Sequence, residues 1–220
     1  MIGTRMTMID ALRVVVAKRP YQEVFVCGGT RLTNREVLAS VERLARGLAG
    51  LGVRAGDRVV GLLPPGPEFV FLFFAAAEVG AVIVPLNTEL SERALSDILA
   101  DAAPTTMVTM RPVDAAMIEE APCLRHLIDA GGTGCGTPLA SVMEAGPADL
   151  GMPAAAPDDL FALLYTSGTT GRPKATMHTH ASLIAPVVAS FKVRELWLRP
   201  SSLKVLADAA KALARYRSRM

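Results

Sequence analysis

Cysteine is scarce in this chain: Cys27, Cys123 and Cys135 are the only three in 220 residues, an odd number without C-x-x-C spacing. That speaks against a disulfide framework and a zinc site. Without a secretory signal, a reduced cytoplasm is the compartment the sequence fits best. Long apolar runs are missing too. The most membrane-like stretch, Val59 to Leu86, is broken by Pro64, Pro65, Pro67, Glu68 and Glu78, short of the ~18 uninterrupted apolar residues a spanning helix needs. No strong charge of one sign stands out overall, since the formal net charge is +2. Residues 191 to 220 nevertheless carry eight Lys/Arg against two acids, so the basic excess lies in the tail. No nucleic-acid partner is expected.

What is present is a globular composition, 51% apolar and 20% charged, enough for one large or two small domains. Met8 to Ala17 has helical spacing at Ile9, Leu12, Val15 and Val16, closed by Pro20. Glu23 to Cys27 alternates like a strand, turns at Gly28-Gly29 and returns through Leu32. Thr33 and Glu36 form a capping box ahead of a helix with inner face Val37, Val41, Leu44, Leu48 and Leu51, stopped by Gly52. Four strand-like runs follow, Val59 to Leu63, Ala81 to Val84, Thr106 to Met110 and Leu124 to Ile128. Helical segments alternate with them: Glu68 to Val79, Glu92 to Ala100 capped by Ser91, and Val113 to Glu120. This alternation predicts an α/β fold, a doubly wound parallel sheet with helices on both faces. Gly131 to Pro157, rich in Gly, Pro and Ala, reads as a linker around a short apolar patch, with a subdomain boundary near Pro157.

Beyond that boundary lies the densest concentration of phosphate-binding groups in the chain. Leu160 to Tyr165 reads as a buried strand opening into Thr166-Ser-Gly-Thr-Thr-Gly-Arg-Pro-Lys174. Gly168 and Gly171 let backbone N–H groups turn inward, Thr166, Ser167, Thr169 and Thr170 add hydroxyls, and Lys174 adds a mobile cation. The bland alternative is an ordinary turn of small residues. A Walker A loop does not fit, because the glycines are three apart and no Ser or Thr follows Lys174. Thr176 to Thr179 continues as a strand, making the loop the tip of a β-turn-β element, and a helix begins after His180. Alternation in that strand would place His178 and His180 on one face, although two histidines without a third ligand make a poor metal site.

Thr166 to Lys174 resembles the signature loop of the adenylate-forming (AMP-binding) superfamily, acyl-CoA synthetases in particular. Leu51 to Val59, Pro67-Glu68-Phe69 and Gly80 to Asn87 resemble further family blocks in the right order, so the likeness covers about Glu23 to Ala185. Ala175 stands where the family usually has Gly. The resemblance implies that Thr166, Ser167, Gly168, Thr169, Thr170, Gly171 and Lys174 hold the β- and γ-phosphates of ATP, with Mg²⁺, for acyl-adenylate formation. It also implies that His180 lines the acyl or adenylate pocket. The chain is then organised as residues 1–157, an N-terminal α/β subdomain; 158–190, strand, phosphate loop, strand and helix, the start of a second subdomain; and 191–220, a basic tail unlike the family, with an apolar helical stripe from Leu203 to Ala214.

By the same resemblance, the adenine, ribose and Mg²⁺ contacts and the principal catalytic Lys are expected later than Ala185 and are not found. No residue set in this chain completes the catalysis, and the Mg²⁺ ligand is absent. CoA and a carboxylic acid become partners only if a second chain completes the fold. The alternatives are a nucleotide-binding or interaction module and an inactive remnant. Apolar faces left uncovered would drive self-association.

Overall fold

The computed structural model describes residues 6–114, 117–118, 121–144, 155–166 and 173–197, with backbone alone from 190 onward. Two elements open the chain. Helix α1 (Met8–Lys18) starts at a capping box in which Thr7 and Asp10 satisfy each other's backbone N–H groups. Strands β1 (Glu23–Cys27) and β2 (Thr30–Thr33) form a separate antiparallel hairpin turning at Gly28 and Gly29. Thr33 then caps α2 (Asn34–Gly50) through a second capping box with Glu36, as the spacing of these residues predicts.

The main body is a seven-stranded sheet. In chain order its first strands are β3 (Arg58–Leu62), β4 (Val82–Leu86), β5 (Thr106–Thr109), β6 (His126–Asp129) and β7 (Thr137–Pro138); β8 (Leu160–Thr166) and β9 (Lys174–Thr179) complete it. The spatial order is β7-β6-β5-β3-β4-β8-β9. Every neighbouring pair is parallel except β8 and β9. Helices α3 (Pro67–Val79) and α4 (Glu92–Ala102) carry the chain across the sheet from β3 to β4 and from β4 to β5.

Register explains why these strands read as unbroken apolar runs. Val59 lies level with Ile83 and Thr106, and Val60 with Val84 and Met107. Successive side chains point to opposite faces. Val59, Ile83, Val108 and Ile128 join a core with α1, α2 and α3, whereas Val60, Val84 and Met107 join a second core with Leu95, Ile98 and Leu99 of α4. Both faces of the sheet are thus buried, the condition under which parallel strands lose polar alternation. Doubly wound α/β is the architecture, as expected. Among the described residues no helix is long and apolar enough to cross a membrane.

Two stretches depart from the sequence reading. The expected linker contains the short edge strand β7 and a helix, α5 (Leu139–Glu144), whose Leu139 and Val142 enter the first core. Helices α2 and α5 approach so closely that a Cβ on Gly47 would lie 2.1 Å from the Val142 carbonyl oxygen. Composition hid this because the apolar patch is short and flanked by glycine. The helix expected over Val113 to Glu120 falls partly outside the described residues, yet Val113, Met117 and Ala121 are buried in the second core.

At the amino edge, Arg58 donates from Nε to the Ala102 carbonyl and from Nη2 to that of Ala103, both at 2.9 Å. It thereby caps the last turn of α4 with positive charge where the helix dipole is negative. Ala103 ends that helix at φ 45°, a left-handed conformation rare for a residue with a Cβ.

Candidate functional site

Strand β8 is parallel to β4, with Ala162 opposite Ile83, so its C-terminal end emerges at the same sheet edge as Leu62, Leu86 and Thr109. In open α/β sheets, ligands bind outside the carboxyl ends of the strands. The chain leaves β8 at Thr166 and returns into β9 at Lys174, and these two residues form the last registered pair of the antiparallel hairpin. Both are exposed. Of the predicted phosphate-binding residues, the structure therefore places Thr166 and Lys174 side by side at the mouth of the hairpin. Ser167, Gly168, Thr169, Thr170 and Gly171 lie outside the described residues.

Burial holds the root of this hairpin. The β8–β9 register shifts between Leu160 and Ala162, and Phe161 joins Ala162 and Leu164 in the first core while Leu163 and Tyr165 face the second. Phe161 meets Phe73 of α3 edge-on, with ring centroids 4.9 Å apart. Near the mouth, the Tyr165 hydroxyl donates to Asp101 Oδ2 at 2.5 Å, tying β8 to α4. Burial, and then the neighbouring Asp101 carboxylate, push the Tyr165 pKa well above the ordinary phenol value, so the phenol keeps its proton as a donor. Sequence reasoning missed this pair, for which the only signal is a tyrosine ending an apolar strand.

The two histidines part company. Strand β9 ends at Thr179, and His180 is the first residue of helix α6 (His180–Trp197). The regular strand therefore ends one residue before His180; His178 lies opposite Ala162, a residue of the first core, and His180 meets that same core. His178 is half-buried on β9, whereas His180 is 1% exposed. Its ring stacks on Phe161 at 4.4 Å and its Nδ1 accepts the Met8 backbone N–H at 3.2 Å. Burial holds its pKa below the ordinary histidine value, opposed by Asp159 and then Asp10. His180 thus sits between the hairpin root and the start of α1, inside the core. No group of three or more His, Cys, Asp or Glu that could hold a metal ion occurs among the described residues.

This arrangement, a parallel sheet whose carboxyl edge bears a Gly/Ser/Thr hairpin ending in Lys174, has close counterparts. The model of the "AMP-binding enzyme" family matches residues 12–209. The chain belongs to that family. The match runs past Ala189 to residue 209, into the tail that the motifs read as unlike the family. The long-chain-fatty-acid–CoA ligase FadD13 of Mycobacterium tuberculosis is 36% identical over 176 residues, 78% of this chain and 34% of that protein. The feruloyl-CoA synthase of an Amycolatopsis species is 39% identical over 157 residues, 71% of this chain and 30% of the relative. Among solved structures, the anthranilate CoA ligase AuaEII in complex with anthranoyl-AMP superposes with a TM-score of 0.74 at 26% identity, covering 82% of this chain and 36% of that one. The chain spans about a third of the length of the curated relatives it matches. Within this AMP-binding family its residues correspond to the N-terminal region of adenylate-forming acyl-CoA ligases.

Proposed function

We propose that this chain forms the ATP-phosphate grip of an adenylate-forming acyl-CoA ligase, with the segment from Thr166 to Lys174 holding the β- and γ-phosphates. The observation that carries the reading is the pairing of Thr166 with Lys174 across the mouth of a hairpin at the carboxyl edge of the sheet. The donor set fits an oxyanion: an ammonium, hydroxyls and glycine-rich backbone, with no carboxylate in the segment. Lys174 is an exposed point charge on a flexible stem, able to follow a phosphate. AuaEII, named with anthranoyl-AMP, supports an acyl adenylate as the chemical context. When bound, Mg²⁺ supplies further charge neutralisation on the phosphates. The described residues offer it no carboxylate cluster, so this chain's own part is to bind and orient the phosphate oxygens. Carboxylate and CoA belong to the whole ligase, and cytoplasm is its compartment in this reading. A module that holds nucleotide without turnover is the second reading.

Titration of the wild-type and Lys174→Ala chains with ATP·Mg²⁺ by calorimetry tests this. Loss of a charge-assisted contact should weaken binding about tenfold or more. Equal affinity in the two chains would refute the assignment. Pyrophosphate release on the same samples with a fatty or aromatic acid separates ligase chemistry from a module that only holds nucleotide.

A further inference from the structure

His180 joins three elements that are far apart in sequence. Its backbone N–H donates to the Asp159 carbonyl at 3.3 Å, and the next N–H, of Ala181, donates to that of Pro157 at 2.8 Å. These bonds close the end of β9 onto the start of β8. Its ring stacks on Phe161 of β8, and its Nδ1 accepts from Met8, the first residue of α1, across 172 positions of sequence. The Met8 N–H is one of the amides a helix start leaves without an internal partner. Helix α1 thus depends on this imidazole as well as on its own Thr7–Asp10 box.

We propose that His180 is a positioning residue that fastens helix α1 to the root of the phosphate hairpin, and does so only as a neutral ring. A proton on Nδ1 removes the acceptor facing Met8. It also sets a positive charge against the positive end of the helix dipole, in a site closed to water. The carboxylates acting on the ring are Asp159, before β8, and Asp10, on α1. Asp159 Oδ2 already accepts the Ala156 N–H at 2.7 Å, and Asp10 Oδ2 accepts the Thr7 N–H and hydroxyl. Both are engaged, and burial outweighs them. Once α1 detaches, the ring titrates near its ordinary value of about 6.5. Detachment should then grow easier by about tenfold per pH unit below that value until the buried ring itself titrates.

The consequence for nucleotide rests on the phosphate-grip reading; the latch itself does not. Amide hydrogen exchange of the full chain, corrected for intrinsic rates, is followed from about pH 7.5 to about pH 5. Protection of the Ala11 to Val15 amides should fall by about tenfold or more while that of Val41 to Leu48 in α2 stays level. In His180→Asn, whose amide keeps an acceptor near the Nδ1 position but does not titrate, α1 protection should be flat. A flat wild-type profile, or an equal fall in His180→Asn, overturns the proposal. If that variant does not fold, imidazole nitrogen shifts of the wild type decide. A ring protonated only on Nε2 at neutral pH, titrating together with α1 protection, supports the latch, and a doubly protonated ring beside a protected α1 refutes it. ATP affinity is measured across the same pH range. A fall with the same midpoint, absent in His180→Asn, supports the positioning role. Affinity that is level while α1 detaches overturns that role and leaves the latch. No ATP binding at any pH, with α1 protection still tracking His180, refutes only the phosphate-grip reading.

Discussion

Strands β3 and β8 are made of similar residues in very different surroundings. Val59, Val60 and Leu62 of β3 are fully buried, between strands on both sides and helices on both faces. In β8 only Phe161 and Ala162 reach that state. Leu163, Leu164 and Tyr165 are half-buried and Thr166 is exposed. Beyond it, β9 is an edge strand with Met177 73% exposed. Burial on two faces holds the centre of the sheet. The hairpin is held by Phe161 and Ala162 at its root, by the half-buried Leu163, Leu164 and Tyr165, and by polar ties: His180 to α1, Tyr165 to Asp101, and a cap on α6. A segment with fewer buried apolar contacts opens at lower free energy than the core beside it.

Core truncation offers the strongest way to break this comparison. Ile83→Ala, at a fully buried position of β4, should cost about 2–5 kcal/mol. Leu164→Ala, half-buried on β8, should cost less than about 2 kcal/mol, in proportion to the apolar area it covers. Urea denaturation of both variants gives the ratio, and equal losses would show that the hairpin end is packed as tightly as the centre. A smaller effect is expected from Gly47→Ala. The added methyl would meet the Val142 carbonyl oxygen at 2.1 Å, so α2 and α5 must separate at about 1–3 kcal/mol. A neutral result in the same denaturation assay would mean that α5 shifts freely and that β7 and α5 add little to the centre.

How much of this was legible in the sequence follows the same division. Where both sheet faces are buried, apolar runs and caps are strong signals, and β3, β4, β5, α2, α3 and α4 lie within a few residues of their expected places. The hairpin β8–β9 was equally readable, because strand residues flank a cluster of turn residues. Contacts between distant positions were not. Gly47 against Val142, Tyr165 against Asp101, and His180 against Met8 each depend on how elements pack, and no periodicity encodes them. His180 is instructive. Strand alternation would set it beside His178, but the chain changes from strand to helix at Thr179, and the two-residue period ends there. His178 stays half-buried opposite Ala162, whereas His180, at the helix start, turns fully into the core against Phe161 and Met8.

The mildest test compares two helix caps, one on each side of this divide. Thr33 caps α2 by accepting the Glu36 N–H, while the Glu36 carboxylate accepts the Thr33 N–H at 2.8 Å and its hydroxyl at 2.7 Å. Thr179 precedes α6 and accepts the Ser182 N–H at 3.2 Å, and Ser182 Oγ donates back to the Thr179 carbonyl at 2.9 Å. Either Thr→Ala change should cost about 1 kcal/mol at neutral pH. The two should differ in acid. Hydrogen bonds from the Thr33 backbone, and then from its side chain, hold the Glu36 pKa below the ordinary carboxylate value. That part of the α2 cap is fully present above the unfolded-state pKa and is lost as pH falls through the folded one. The Thr179 and Ser182 hydroxyls do not titrate, but His180 lies between them, so this cap is read in the His180→Asn background. The stability gap between wild type and Thr33→Ala should therefore narrow in acid, read by urea denaturation. In that background the effect of Thr179→Ala on amide protection at Leu183 and Ile184 should hold level, because the cap then depends on hydroxyls alone. Parallel pH dependence in both would mean that the acid response is global rather than lodged in the Glu36 carboxylate.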